Sequence, residues 1–424
     1  MKICAVIAEF NPLHNGHQYL LNQARIQTKC DAVLVILGSN FTQRGEPALL
    51  SKVARAKQAM LCGADIVVEL PVYGSTLSAQ DFAYQAVKIA HCFNHVTHLA
   101  FGSESGDIIS IQELAQFLTN EPAYFKTEIS AALDQGHSLP TAKSRALSVV
   151  LDERFKSFSN PETVSELLSK PNNILGVEYV KSLIKLGSKI TPVAIKRMNN
   201  ENKIEPEHTK DFASASAIRQ ALYLSGSTNK ARKLMPKQSA KVLEQQLKLH
   251  GLPNQRAYSD IALGFLRART PNDLNDLYDM AEGLNNKLIS TSAQVVSFDG
   301  LVTKITSKRY TSSRIRRLVL INILRLKQSV VDALTSQTIP AFVKILAVKE
   351  DNKLLKQLTA NCPVVLRHND TSLITDELSL ELIRADTTAN GIYATLLDLN
   401  ETQLQTFLND NSFYAKTVFI KPES

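Results

Sequence analysis

The first twenty-odd residues restrict this chain more than any other stretch. Ile3-Cys4-Ala5-Val6-Ile7-Ala8 is a short apolar run, β-branched at three of its six positions. Such a run reads as a buried strand. It ends in Glu9-Phe10-Asn11-Pro12-Leu13, where Pro12 removes a backbone donor and stops regular structure. His14-Asn15-Gly16-His17 then leads into Gln18-Tyr19-Leu20-Leu21, an amphipathic start that predicts a helix over 16–27. Two imidazoles three residues apart across a helix start point the same way. The free N–H groups of the first turn lie beside them, at the positive end of the helix dipole. Gly16 lets an anion approach the backbone without a Cβ in its path. A strand, a Pro stop and a His-rich helix start together make a phosphate site.

The rest of 1–110 repeats the alternation. Strands are expected at Ala32–Leu37, Ile66–Glu69 and His98–Phe101, and helices at Ser51–Cys62 and Ser78–His91. Short apolar strands alternating with helices imply right-handed crossovers and a parallel sheet, so the fold class is α/β. Ligands of such sheets bind beyond the carboxyl ends of the strands. Both His14-Asn15-Gly16-His17 and Phe101-Gly102-Ser103-Glu104-Ser105-Gly106 fall at that edge. Gly38 to Leu50, polar and punctuated by Gly45 and Pro47, reads as a mobile lid over the site. Residues 111–170 read as a helical insertion. Asn172 or Asn173 is expected to cap a helix with Leu175, Tyr179, Leu183 and Leu186 on its core face. A fifth strand, Thr191–Ile195, ends in Lys196-Arg197, cations well placed for phosphates. Ser214-Ala215-Ser216-Ala217-Ile218-Arg219 opens another helix, with two hydroxyls and a guanidinium able to face one anion.

The chain therefore divides into a nucleotide-binding unit over 1–225, a helical region over 226–330, and a small α/β segment over 331–424. A helix is expected from Ala341 to Leu358 in that last segment, and a strand at its end over Ala415–Ile420. Charge is uneven: the net is +8 overall but −4 over 331–424, which leaves +12 on 1–330. Residues 301–330 hold Lys304, Lys308, Arg309, Arg314, Arg316, Arg317, Arg325 and Lys327, with no acidic residue and with Tyr310 among them. Cations at this density, with an aromatic ring for stacking, suit a nucleic-acid backbone. Five scattered cysteines without Cys-x-x-Cys spacing exclude a zinc ribbon or a disulfide framework, and no carboxylate cluster of metal-ligand type stands out. No run reaches membrane-span length, and the opening Met1-Lys2-Ile3 leads straight into a strand, so a cytoplasmic protein is expected.

Phe10-Asn11-Pro12-Leu13-His14-Asn15-Gly16-His17 resembles the His-x-Gly-His signature of the nucleotidyltransferase superfamily, and Ser214–Arg219 resembles its second motif. Gln43-Arg44-Gly45-Glu46-Pro47, Glu69-Leu70-Pro71, Phe101-Gly102-Ser103-Glu104, Lys170–Gly176 and Lys308-Arg309-Tyr310-Thr311 are similar to stretches of the bacterial tRNA(Met) cytidine acetate ligases. The likeness is dense over 1–225, thinner over 300–320 and weak over the last ninety or so residues. It implies a Rossmann-like, HUP-type nucleotidyltransferase core. It also implies activation of acetate by ATP as acetyl-adenylate, and transfer to the wobble cytidine of elongator tRNA(Met) as N4-acetylcytidine. Magnesium is expected with the ATP, and no obligate protein partner or membrane is implied.

The resemblance further implies that ATP meets Ile7, Ala8, Glu9, Phe10, Asn11, Pro12, Leu13, His14, Asn15, Gly16, His17, Gln18, Tyr19 and Leu20, with His14 and His17 catalytic. Gly102, Asn172, Asn173 and Arg197 join them, and Ser214, Ser216 and Arg219 clamp the β/γ end. The tRNA is expected at Lys308, Arg309, Arg314, Arg316 and Arg317, with Arg44 and Lys52 near the lid. One departure is Ala217, where many superfamily members carry a hydroxyl. Two other readings stay open on sequence: an adenylyltransferase for a small phosphorylated metabolite, and a non-catalytic ATP-sensing RNA-binding protein.

Overall fold

A computed structural model describes residues 1–137, 141–142, 145–147, 167, 170–197, 214–226, 228–281, 283–366 and 368–421. In chain order the first elements are β1 (Ile3–Ala8), α1 (Asn15–Thr28), β2 (Ala32–Gly38), α2 (Lys52–Leu61) and β3 (Ile66–Leu70). There follow α3 (Val72–Ser75), α4 (Ala79–Cys92), β4 (Val96–Ser103), α5 (Ile108–Thr119), α6 (Ala123–Asp134), α7 (Pro171–Lys185) and β5 (Thr191–Lys196). Much of the helical insertion expected up to residue 170 lies outside the described residues.

β1 pairs in parallel with β2 on one side and β4 on the other, and β3 and β5 extend the two flanks. The order β5-β4-β1-β2-β3 reverses direction between β1 and β4. That gap is the switch point of a doubly wound sheet, where the strand ends leave a crevice for ligand. The strands are apolar on both faces because both faces are covered. Ile3, Ala5 and Ile7 pack with α4, α5 and α7, while Cys4 and Val6 pack with α1 and α2. All five cysteines are free thiols.

A helical layer follows: α8 (Ala215–Ser225), α9 (Asn229–Arg232), α10 (Lys237–His250), α11 (Gln255–Arg267), α12 (Leu284–Ser292), α13 (Phe298–Ile305), α14 (Ser312–Leu324) and α15 (Gln328–Ser336). It is anchored on the first motif, since Ser239 Oγ donates to Leu13 O (2.8 Å) and Asn15 N–H to Leu234 O (3.1 Å).

The C-terminal segment does not stand apart from the core. β6 (Val343–Lys349) pairs antiparallel with β3, so the sheet runs on through β6 to β7 (Val364–Val365), while β8 (Val418–Ile420) pairs β6. The helix expected over 341–358 is instead β6 followed by α16 (Asn352–Gln357). Val343-Lys344-Ile345-Leu346-Ala347-Val348 is buried on both sides, so it shows no alternation, and a two-sided apolar run does not distinguish strand from helix. α17 (Glu377–Ala394) and α18 (Glu401–Asn411) complete the segment.

α17 fixes the loop expected to be a mobile lid. Asn40 Nδ2 donates to Asn390 Oδ1 (2.9 Å), Tyr393 OH to Ala48 O (2.8 Å), and, from α11, Tyr258 OH to Gly45 O (3.0 Å). Phe41, Ala48, Leu49 and Leu50 are buried. The loop is therefore a packed wall of the site, because its few apolar residues find cover from distant elements that follow the parallel core in the chain.

Gly45 has φ +75°, and a Cβ there would lie 2.5 Å from the Arg316 backbone. Gly136 has φ +82° with nothing within 4 Å. Gly45→Ala is expected to lose at least about 2 kcal/mol in urea unfolding, and Gly136→Ala only about 1 kcal/mol, the share due to backbone conformation. Equal losses would show that the loop yields to α14.

Candidate active site

The site starts from the way α1 begins. His14 is its N-cap: Nδ1 accepts from Gly16 N–H (3.1 Å), and His17 Nδ1 accepts from His14 N–H (3.4 Å). The two rings stack with centroids 3.8 Å apart, and Phe10 packs 5.0 Å from His17. Phe10, with φ 46°, turns the chain at the end of β1. Each Nδ1 lone pair is spent on a backbone amide, so the remaining proton of each neutral ring sits on Nε2. Burial pushes the His14 pKa down to about 4, helped by Arg197. Burial first, then His14 and Arg197, pushes His17 well below the ordinary histidine range, against a hydrogen bond from its ring to the Pro12 carbonyl. Near neutrality the pair is thus two uncharged N–H donors beside a helix N-terminus.

Arg219 joins the second motif to the first. Its Nη1 donates to Asn11 O (2.8 Å) and its Nη2 to Ser216 Oγ (3.3 Å). Ser214 is the exposed N-cap of α8, and its Oγ accepts from Ala217 N–H (3.2 Å). The hydroxyl missing at Ala217 leaves no amide unsatisfied there.

Across the switch point, the end of β4 carries Gly102, where a Cβ would come 3.4 Å from Arg197 Cγ. Arg197 Nη1 donates to Asn172 Oδ1 (3.0 Å), and Asn172 Nδ2 donates to Glu104 Oε1 (2.6 Å). Neither asparagine is the helix cap. Pro171 at the first helical position starts α7 earlier, with Lys170 as N-cap. Glu104 takes over the capping role by accepting from Asn172 N–H (3.3 Å) and Asn173 N–H (2.9 Å). Asn173 is fully buried, with Oδ1 accepting from Ser103 Oγ (2.7 Å) and Glu104 N–H (3.0 Å). It therefore holds the β4 loop, and Asn172, half-buried, is the member of the pair open to the crevice.

Two residues absent from the sequence reading, Arg55 and Asp386, shape the other half. Arg55, 1% exposed, gives its guanidinium to three carbonyls: Leu50 O (2.9 Å), Glu9 O (2.6 Å) and Ser39 O. Lys52, expected near tRNA, is instead buried in an ion pair with Glu69. Asp386 of α17 lies beside that pair and accepts from Val72 N–H (2.9 Å); burial and Glu69 push its carboxyl up to about 7.

The basic stretch is also less bare than its sequence. Arg314 pairs with Asp279 through two bonds, and Arg316 pairs with Asp299 (2.7 Å) and reaches Glu46 (3.6 Å). Arg317 is half-buried, and Tyr310 is buried, so its ring packs the core instead of facing a base. Arg44, Lys308 and Arg309 are exposed. Gly45 rests on the Arg316–Arg317 backbone, so this basic face adjoins the wall of the site.

A family profile described as HIGH Nucleotidyl Transferase matches residues 1–407. The tRNA(Met) cytidine acetate ligase of Acetivibrio thermocellus is 33% identical over 398 residues, 91% of this chain and 94% of that one. That of Clostridium acetobutylicum is 34% identical over 389 residues, 90% and 94% of the two chains. The chain belongs to this family. Thermotoga maritima TmcAL, solved apo and bound with alpha-thio ATP, superposes with TM-scores of 0.89 and 0.88 at 30% identity, covering all of both chains. The ligase fold thus extends over the C-terminal segment as well, where the sequence likeness is weak.

Because both imidazoles are neutral in the folded chain, the unfolded chain binds protons that the folded one does not between about pH 6.5 and about 4. Stability should fall as pH drops through that window. His14→Asn keeps an acceptor for Gly16 N–H but removes the titrating ring. Urea unfolding at pH 7 and pH 4.5 should show its loss reduced by up to about 3 kcal/mol, and an unchanged loss would mean His14 is already protonated when folded.

Proposed function

We propose that this chain activates acetate with ATP and transfers the acetyl group to the wobble cytidine of elongator tRNA(Met), forming N4-acetylcytidine. The observation that carries this reading is the meeting of the His14–His17 donor pair with Arg219 at one sheet edge, in a chain whose curated relatives match it over nine-tenths of its length. Those relatives include the helical region, which favours the ligase over a nucleotidyltransferase for a small metabolite.

In the first half-reaction an acetate oxygen attacks the α-phosphorus, and the bond to the pyrophosphate oxygen breaks. Such displacements need positioning and charge stabilisation more than covalent help from protein. The Nε2–H groups of His14 and His17 donate to the phosphate oxygens that gain charge, with His17 exchanging its hydrogen bond to the Pro12 carbonyl for the phosphate. Arg219, with the hydroxyls of Ser214 and Ser216, holds the leaving pyrophosphate. Gly102 leaves room for the nucleoside, and Asn172 and Arg197 flank it. Magnesium arrives as part of the nucleotide substrate. Glu104, the carboxylate nearest the nucleoside side, is committed to the amides of α7, which fits a metal carried by the phosphates and not by a protein cluster.

The tRNA approaches over Arg44, Lys308 and Arg309, next to the wall of the site. A tRNA substrate fits a cytoplasmic location, and no helix among the described residues is long and apolar enough to cross a membrane.

ATP–pyrophosphate exchange separates the halves. Exchange should require acetate, and His17→Ala should lower it at least about 100-fold, the scale of losing one preorganised donor at a developing charge. Arg44, Lys308 and Arg309 changed together to Ala should leave exchange intact, weaken tRNA(Met) binding and flatten its log–log salt slope by up to about 3. Loss of exchange in that triple variant would contradict this division of labour.

A further inference from the structure

The transfer step, on the reading above, leaves one requirement unassigned. When the cytidine amine attacks the acyl carbonyl, its nitrogen gains positive charge and must lose a proton. An exocyclic amine conjugated with a pyrimidine is a poor nucleophile, so a positioned base helps that step markedly.

His14 and His17 each have Nδ1 occupied by a backbone N–H, which leaves the proton on Nε2 and no free lone pair. Glu104 has both oxygens on the amides and side chain of α7. Glu9 differs. It follows β1 directly at the switch point, and its Oε1 accepts from Gln43 N–H (2.6 Å). Its Cγ lies 3.9 Å from where a Cβ on Gly38 would stand. The side chain therefore leans toward the end of β2, away from Gly102, Asn172 and Arg197 on the β4 side. Ligands of doubly wound sheets bind in the crevice at this switch point, so the Glu9 carboxylate faces the crevice from the β2 side while Gly102, Asn172 and Arg197 face it from the β4 side.

We propose that Glu9 is the general base of the acetyl-transfer step. The amine nitrogen bonds to the acyl carbon, and its proton passes to the Glu9 oxygen not held by Gln43. The bond between that carbon and the adenylate oxygen then breaks, and AMP leaves with the electron pair. Acetate enters the first half-reaction already as an anion, so that step needs no base.

The surroundings keep this carboxylate basic. Burial raises its pKa, against the Gln43 amide and the charges of Arg55, Arg44 and Arg219. No ion pair to Glu9 is formed among the described residues. Arg55 donates to three carbonyls, and Arg219 donates to Asn11 O and Ser216 Oγ. Buried Tyr179 is the other titratable group that senses the Glu9 charge.

The test compares the two half-reactions in Glu9→Gln, which keeps an acceptor for Gln43 N–H. With both half-reactions read at saturating ATP, single-turnover transfer to tRNA(Met) should fall about a hundredfold or more beyond whatever acetate-dependent exchange loses. Glu9→Asp should recover part of that loss. In the unaltered protein the transfer rate should rise with pH above the ordinary carboxylate range and then level. Equal losses in both half-reactions, or a transfer rate that does not change with pH across and above the ordinary carboxylate range, would overturn the assignment. Absence of acetate-dependent exchange or of tRNA acetylation in the unaltered protein would instead overturn the functional reading on which the assignment rests.

Discussion

At the end of β1 the amides of His14 and Gly16 donate to the Nδ1 atoms of His17 and His14, and much of the site's behaviour follows from that pairing. It sets the tautomer of both rings, satisfies amides at the start of α1 and brings the rings into a stack 3.8 Å apart. Two charged imidazoles at that distance would repel one another, and burial penalises each charge further. On the proposed function, the result is a phosphate grip built from neutral dipoles, and positive charge is supplied separately by the guanidiniums of Arg219 and Arg197. Ionisation and phosphate recognition are thereby uncoupled.

The fold carries the crevice on hydrogen bonds between distant segments. Arg55 bridges the loop after β1 and the loop after β2 through carbonyls of both. α17 closes the second loop from outside through Asn390 and Tyr393, and its Asp386 holds the chain just after β3 through Val72 N–H. Buried charge of this kind is tolerated because each group finds polar partners, and removing one partner costs far more than the pair contributes net. The C-terminal segment holds no group assigned to the chemistry. Its role is to extend the sheet through β6 and to hold the wall that both Glu9 and Arg44 use.

The parallel core was legible because its signals are local. Each of β1 to β5 is an apolar run bounded by polar turns, and the strand ends that carry His14, Gly102 and Arg197 followed from alternation alone. What escaped depends on contacts between residues far apart in sequence. Arg55 meets Glu9 across 46 positions, Glu104 meets Asn173 across 69, and Asp386 meets Val72 across 314. β6 was hidden because burial on both faces erases the period of two. The basic stretch looked uncompensated because Asp279, Asp299 and Glu46, which pair with its arginines, lie outside it. Lys52 and Tyr310 looked like surface residues because burial of a polar tip is a tertiary property.

The tautomeric state of the two rings is the most direct test of this picture. Long-range 15N–1H correlation spectra of protein with labelled histidine, at pH 7 without nucleotide, would resolve the Nδ1 and Nε2 shifts of His14 and His17. Both residues should show unprotonated Nδ1 and protonated Nε2, unchanged as the pH is lowered to 5.5. Imidazolium shifts, or a proton on Nδ1 of either ring, would contradict the neutral-donor site from which the phosphate grip and the assignment of Glu9 both follow.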